Sequence, residues 1–263
     1  MKMFLALLLV FSFALVVSGC ADISDWNHNS QQTDPVQTDP SPTTQPESEP
    51  LQTEPEHSDL YIPGLAVDDV IVYFNEVCLD AEITLSGDPS VLQKWDEPIY
   101  YQINGQCTVE DEAVLQQFTQ WLNTIEGFPG MNEVQEDSMP NLQIYFCSQQ
   151  EMIEHLGENF SYMDGGITFW YDDADRIYNA IICYRTDLDQ YLRNSVILEE
   201  IYNGLGPIQD TTLREDSIIY SEFTTPQALT QVDELLLKLL YHPLMQCGMN
   251  SDECEAVIRQ LYF

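Results

Sequence analysis

The sequence predicts an α+β fold in which a mixed sheet packs against one central buried helix and a group of C-terminal helices. Three observations carry this. Helical and strand-like periodicities alternate through the first half of the folded region, helices alone close the chain, and one helical stretch near residue 200 is apolar nearly all round.

Each element follows in order. Val67, Val70, Ile71, Phe74, Val77 and Cys78 recur at helical spacing, so 66–80 reads as a helix. Pro98 to Ile103 is rich in β-branched and aromatic residues and stops at Gly105, which marks a strand. Thr108 is placed to cap a helix over about 109–125, whose stripe is Val114, Leu115, Phe118, Trp121, Leu122 and Ile125. Leu142 to Cys147 reads as a strand and 149–156 as a short helix. Gly165-Gly166 introduces a strand at 167–171, Asp172-Asp173 turns the chain, and Ile177 to Tyr184 returns as another strand. Helices are then expected over about 188–204, 231–241 and 252–261. The first carries Leu188, Tyr191, Leu192, Val196, Ile197, Leu198, Ile201 and Tyr202, which places it in the interior. It ends at Gly204-Leu205-Gly206-Pro207, where glycine can adopt a left-handed cap and proline cannot continue a helix. Thr230 and Asp233 form a near capping box for the second, and Ser251 is expected to cap the third.

The chain has 263 residues, with 44 Asp+Glu against 8 Lys+Arg and a formal charge of −36. Without a basic stripe it is unsuited to nucleic acid, because phosphates would find no counter-charge. Attraction to anionic lipid headgroups is excluded on the same ground. Residues 1–19 read as a lipoprotein signal peptide. Lys2 is followed by an apolar run from Phe4 to Val17, too short to span a bilayer, and then by Val17-Ser18-Gly19-Cys20. This end resembles the bacterial lipoprotein cleavage box, which implies that Cys20 receives lipid and anchors the protein on the extracytoplasmic side of the cell membrane. Residues 20–60 read as a disordered acidic linker rich in Pro and Thr, with Gln32-Thr33-Asp34-Pro35 repeated as Gln37-Thr38-Asp39-Pro40. Such a tether spans on the order of 35 Å when flexible and about 120 Å when fully extended. The folded domain is expected over 61–263.

Six cysteines follow Cys20, and outside the cytoplasm they can pair. Cys247 and Cys254 bracket a turn and are the expected bridge; the others read equally well as buried thiols.

The buried helix contains Leu198-Glu199-Glu200-Ile201-Tyr202-Asn203-Gly204-Leu205-Gly206-Pro207-Ile208-Gln209. Two adjacent carboxylates on an apolar helix are costly unless paired or protonated. Asn203 shares a face with Glu199. The stretch resembles the His-Glu-x-x-His-x-x-Gly-x-x-His helix of the metzincin zinc peptidases. Glu199, Asn203 and Gln209 stand at the ligand positions, Glu200 at the general base and Gly206 at the turn glycine. Ser217-Ile218-Ile219-Tyr220 resembles the Ser-x-Met-Tyr turn below the metal, with Ile219 in place of Met. All three ligand histidines are replaced by oxygen donors, which suit zinc poorly. The domain's two histidines, His155 and His242, lie away from the motif in sequence.

A nearer resemblance is to the bacterial domain of unknown function 2927. It rests on Glu199-Glu200, Leu205-Gly206, Asp216-Ser217-Ile218, Leu229 to Asp233, Leu239 to Pro243 and Gly248-Met249. The two resemblances together imply a zincin-like domain without the zinc chemistry. The expected function is therefore a lipid-anchored, non-catalytic domain with a binding or accessory role in the cell envelope. Its partner would be a peptide, a glycan or an envelope protein, and no cofactor is expected. The structural version of this reading has Glu200 accepting from the Ser217 loop and Glu199 paired with Arg185 or Arg193. The alternative is a hydrolase of peptidase or glycosidase type. It would use Glu199 and Glu200 as acid and base without metal, or Glu199, Asn203 and Asp210 around a hard cation.

Overall fold

A computed structural model of the chain describes residues 58–79, 91–135 and 139–263. The expected signal peptide, Cys20 and nearly all of the expected linker lie outside the described residues. The Ser58 amide donates to the Phe263 carbonyl at 3.0 Å and ties the start of the described region to its end.

The elements, in chain order, are α1 (Val67–Leu79), β1 (Lys94–Trp95), β2 (Ile99–Gly105), α2 (Val109–Leu122), β3 (Met131–Glu133), β4 (Leu142–Cys147) and α3 (Gln149–Leu156). A single 3-10 turn at Glu158–Phe160 leads to β5 (Gly165–Tyr171), β6 (Arg176–Arg185), α4 (Gln190–Gly204), α5 (Gln231–Tyr241) and α6 (Ser251–Leu261). The sheet is mixed and α+β, as expected. Its order is β1-β6-β4-β2-β3, and β5 pairs with β6 as the one antiparallel member among the described strands. The short strands β1 and β3 carry too few residues for periodicity to reveal them.

Strand alternation sorts the core into two parts. Ile144, Phe146, Ile182 and Tyr184 face the main core, which also takes in α1, α2, α4 and α5. Cys147 and Cys183 point to the opposite face, where Met152, Leu156 and Phe160 of α3 and the following turn cover them. The sheet is therefore clothed on both faces, not one, because alternate residues of β4 and β6 are apolar on both sides.

Capping explains most helix starts. Thr108, Ser148 and Thr230 each form a reciprocal capping box with an acidic residue three positions on. For α6 the cap is Asn250 and not Ser251: Asn250 accepts from the Glu253 amide at 3.1 Å, and Glu253 accepts from the Asn250 amide at 2.9 Å. Asparagine one position earlier supplies the same oxygen and leaves Ser251 as the first helical residue.

Helix α4 lies in the interior, as its composition requires. Ile197, Ile201 and Tyr202 are at most 1% exposed, each contributing about 1.5–3 kcal/mol by burial. Gly206 beyond its end has φ +128°, and a Cβ there would meet the Gln93 carbonyl oxygen at 2.6 Å, so only glycine turns the chain here. Cys247 and Cys254 are both free thiols, so the expected bridge is not formed in the structure. Cys254 is instead buried in the core, and the Cys247 thiol donates to the Lys94 carbonyl.

Candidate functional site

The N-terminal end of β5 runs against α4, and the segment after the Ser217 turn closes a cleft beside them. Tyr162, Met163, Asp164 and Gly165 from the run into β5, Leu192, Val196, Glu199 and Glu200 from α4, and Tyr220, Glu222, Phe223 and Thr224 from the segment after the Ser217 turn line it. The glycine pair opening β5 serves two faces. Gly165 faces α4, where an added Cβ would lie 2.5 Å from Val196 Cγ1 and 2.9 Å from Glu200 Oε1. Gly166 faces α3, where a Cβ would meet Phe160 at 2.4 Å.

Glu200 is 9% exposed, and Glu199 is half-buried. Neither carboxyl makes a hydrogen bond or ion pair among the described residues. Burial, followed by the nearby charge of Asp210, pushes Glu200 up to about 8. Glu199 is also raised, first by burial and then by Glu200, Asp210 and Asp164. Asp164 is raised by burial despite an ion pair with Arg185 at 3.1 Å.

The partners expected from sequence are engaged elsewhere. Arg185 binds Asp164 and Asp187. Arg193 forms a buried pair with Asp111 at 2.8 Å and donates to the Thr186 and Leu188 carbonyls. Ser217 donates to Asp233 Oδ1 at 2.7 Å and lies 3.0 Å from the Tyr73 hydroxyl. The expected internal pairing of Glu199 with an arginine, and of Glu200 with the Ser217 loop, is thus overturned: both donors satisfy other aspartates.

Asp233 organises the turn below α4. Fully buried, it accepts from Ser217, the Tyr73 hydroxyl, the Ile218 amide and both donors of Thr230, so one carboxylate joins α1, the turn and α5. On the far side of the loop, Glu76 of α1 accepts from Thr211 and Thr212. These bonds set the position of Ile219, buried under α4, and of Tyr220 at the cleft.

Of the remaining sequence candidates, Asp210 comes near enough for its charge to raise both glutamates, but none of them lines the cleft. Asn203 is 2% exposed, its Oδ1 has no hydrogen-bond partner, and it does not line the cleft; nor do Gln209 and Asp210. His155 stacks on Tyr145 with ring centroids 3.9 Å apart, and His242 ends α5 with its Nδ1 accepting from the Leu244 amide. Among the described residues no three His, Cys, Asp or Glu side chains are grouped to hold a metal ion. Tyr162, Asp164, Glu222 and Phe223 were not legible as site residues. They lie in connecting segments, and the one signal nearby was Gly165-Gly166, since paired glycines opening a strand mark close approach of neighbours.

The architecture defines an α+β domain whose central helix presents two unpaired glutamates to a cleft free of histidine and of basic residues. The chain belongs to the family described as protein of unknown function (DUF2927), whose model matches residues 68–260. No curated protein matches it.

Proposed function

We propose that this chain is an extracytoplasmic lipoprotein, held to the membrane by lipid on Cys20, whose zincin-like domain works as a binding module through the α4 cleft. The observation that carries the binding role is the cleft itself, lined by two carboxyls that no group among the described residues satisfies. A purely structural pair would be hydrogen-bonded or ion-paired, because an unpaired buried carboxyl is destabilising. The anchor rests on the Val17-Ser18-Gly19-Cys20 box and the acidic tether. The zincin-like character rests on the placement of the Glu-Glu helix, on the tight turn after it, and on a buried Ile219 at the position of the Met-turn residue.

The residues present do not fit zinc. Of the three ligand positions, only Glu199 lines the cleft; Asn203 and Gln209 do not, and all are oxygen donors. No zinc-dependent step is therefore assigned. Elemental analysis of the purified full chain checks this directly: less than a tenth of an equivalent of zinc is expected, and a stoichiometric amount would overturn the assignment. Replacing Cys20 by Ala should move the protein from the membrane to the soluble fraction. Retention on the membrane would refute the anchor.

A second reading is favoured by one observation, the raised pKa of Glu200. A carboxylic acid still protonated near pH 7 in an open cleft can serve as a general acid for hydrolysis. Adjacent residues on a helix diverge by about 100°, however, so Glu199 and Glu200 do not flank a single bond as an acid–base pair requires. The readings separate on Glu200→Gln. Hydrolysis of a peptide or glycan panel that is lost in this variant, without loss of fold, would establish the catalytic reading and displace the binding one.

A further inference from the structure

The described residues hold seven basic side chains between Tyr61 and Phe263, and every one is engaged away from Glu199 and Glu200. Arg176 binds Asp172, Arg193 binds Asp111, Arg214 binds Asp216, Lys238 binds Glu234, and Arg259 binds Asp68 and Glu255. Arg185 stands behind Asp164 and Asp187, and Lys94 donates to the backbone carbonyls of Leu240 and Met245. The cleft lining contains four acidic residues, Asp164, Glu199, Glu200 and Glu222, and no base. Glu200 is more than nine-tenths buried, lines this cleft and has no partner among the described residues. Among the described residues there is thus no counter-charge left to give the pair.

The rim has a second character. Tyr162 is 93% exposed and Phe223 67% exposed, and both line the cleft together with Tyr220. Exposed rings beside carboxylates recognise cations through their negative faces. Leu192, Val196 and Met163 add an apolar lining suited to an alkyl stem. A compact metal ion would need three or more donors converging on one point, and no such group of side chains exists among the described residues.

We propose that the cleft binds an organic cation, the alkylammonium or guanidinium group of a basic peptide partner, with its charge against Glu199 and Glu200 and its stem between the rim rings. This rests on the binding reading above and names the chemistry of its ligand. Binding is coupled to protons, because a cation favours the ionised carboxyls. The other titratable groups near Glu200 are Glu199 on its own helix, Asp210 after it, Asp164 before β5, Cys183 and Tyr184 of β6, and Tyr220 and Glu222 of the opposite segment. From α2, Asp111 and Glu110 meet α4 near its start, where Asp111 binds Gln190 and Arg193 and Glu110 accepts from Asn194. The hydrogen bond with Cys147 and then burial keep Cys183 neutral, and burial keeps Tyr184 neutral, so the carboxyls respond, and affinity rises as pH climbs toward 8.

The test is calorimetric titration of the full chain in detergent at pH 8 with acetyl-Ala-Lys-Ala-amide, its norleucine twin, n-butylammonium and calcium chloride. The lysine peptide is expected to bind at least tenfold more tightly than the norleucine twin. Glu199→Gln and Glu200→Gln, each shown to be folded by circular dichroism, are expected to remove at least tenfold of that affinity. n-Butylammonium binding as tightly as the lysine peptide would identify a free amine as the source of the cation; weaker binding identifies a peptide side chain. Equal affinity for the lysine and norleucine peptides, lost in Glu199→Gln, would refute the cation while leaving a binding cleft. Calcium binding that both glutamine variants abolish would also overturn the proposal. Absence of binding by every probe would overturn it together with the peptide-binding reading.

Discussion

Replacing Glu200 by Gln should stabilise the protein at neutral and alkaline pH and leave it nearly unchanged in acid. In the folded state Glu200 holds its proton up to about pH 8, whereas an ordinary glutamate releases it near 4.5. Between those values the folded chain binds more protons than the unfolded chain, so stability falls as pH rises. The destabilisation is absent below pH 4.5, grows through the window and is complete above pH 8. The difference between the two values, at 1.36 kcal/mol per unit, gives about 5 kcal/mol at the upper end. Relaxation of the cleft and water entry reduce this toward about 3 kcal/mol. The amide has nearly the same shape and carries no charge, so it removes the penalty without leaving a cavity. Urea denaturation of both proteins at pH 4.5 and pH 8.5 is the assay. The midpoints should coincide at the lower pH, and the variant's should be clearly higher at the upper one. For a domain of this size, a rise in Tm of about 6–15 °C is expected at pH 8.5. Identical pH profiles for the two proteins would show that a partner in the fold compensates the ionised Glu200, which would refute the unpaired carboxyl.

Other perturbations test the frame that holds the cleft. Asp233→Ala leaves the donors of Ser217, Tyr73 and Ile218 buried without an acceptor, and a loss of about 3–5 kcal/mol is expected by chemical denaturation; a loss under 1 kcal/mol would mean that the turn is held by packing alone. Arg193→Met strands the fully buried Asp111 and should cost about 3–5 kcal/mol, much of it recovered in the double variant with Asp111→Leu. Burial alone would raise Asp111, yet Arg193, Thr108 and Gln190 together hold it below its ordinary value. That contribution is present above the ordinary aspartate pKa and is lost as pH falls through the lowered one. Gly165→Ala drives a methyl into Val196 and Glu200, for an expected cost of about 1–3 kcal/mol and a weakened cleft, measured by urea titration and ligand affinity together. An unchanged midpoint would show that β5 is free to move off α4.

The fold class, the six helices and the four longer strands were legible because each rests on a local pattern: apolar spacing in α1, α2 and α4, capping residues such as Thr108 and Thr230, and the glycines at Gly105 and Gly206. The Glu199-Glu200 pair stood out for the same reason, as charge inside an apolar helix. The short strands β1 and β3 depend on neighbours supplied by β6 and β2, and only the folded chain brings those together. The second apolar face of the sheet became visible once register placed Cys147 and Cys183 on one side.

What the sequence determined by itself was the acidic character, the order of elements and the placing of two adjacent carboxylates inside an apolar helix. What only tertiary structure decided was who neutralises whom. Ion pairing depends on distances of a few ångströms between residues far apart in the chain, and composition is silent on that. With 44 acids and 8 bases, most carboxylates had to go without a basic partner. Packing α4 against β5, with every arginine drawn to another aspartate, left Glu199 and Glu200 facing a cleft without a partner among the described residues.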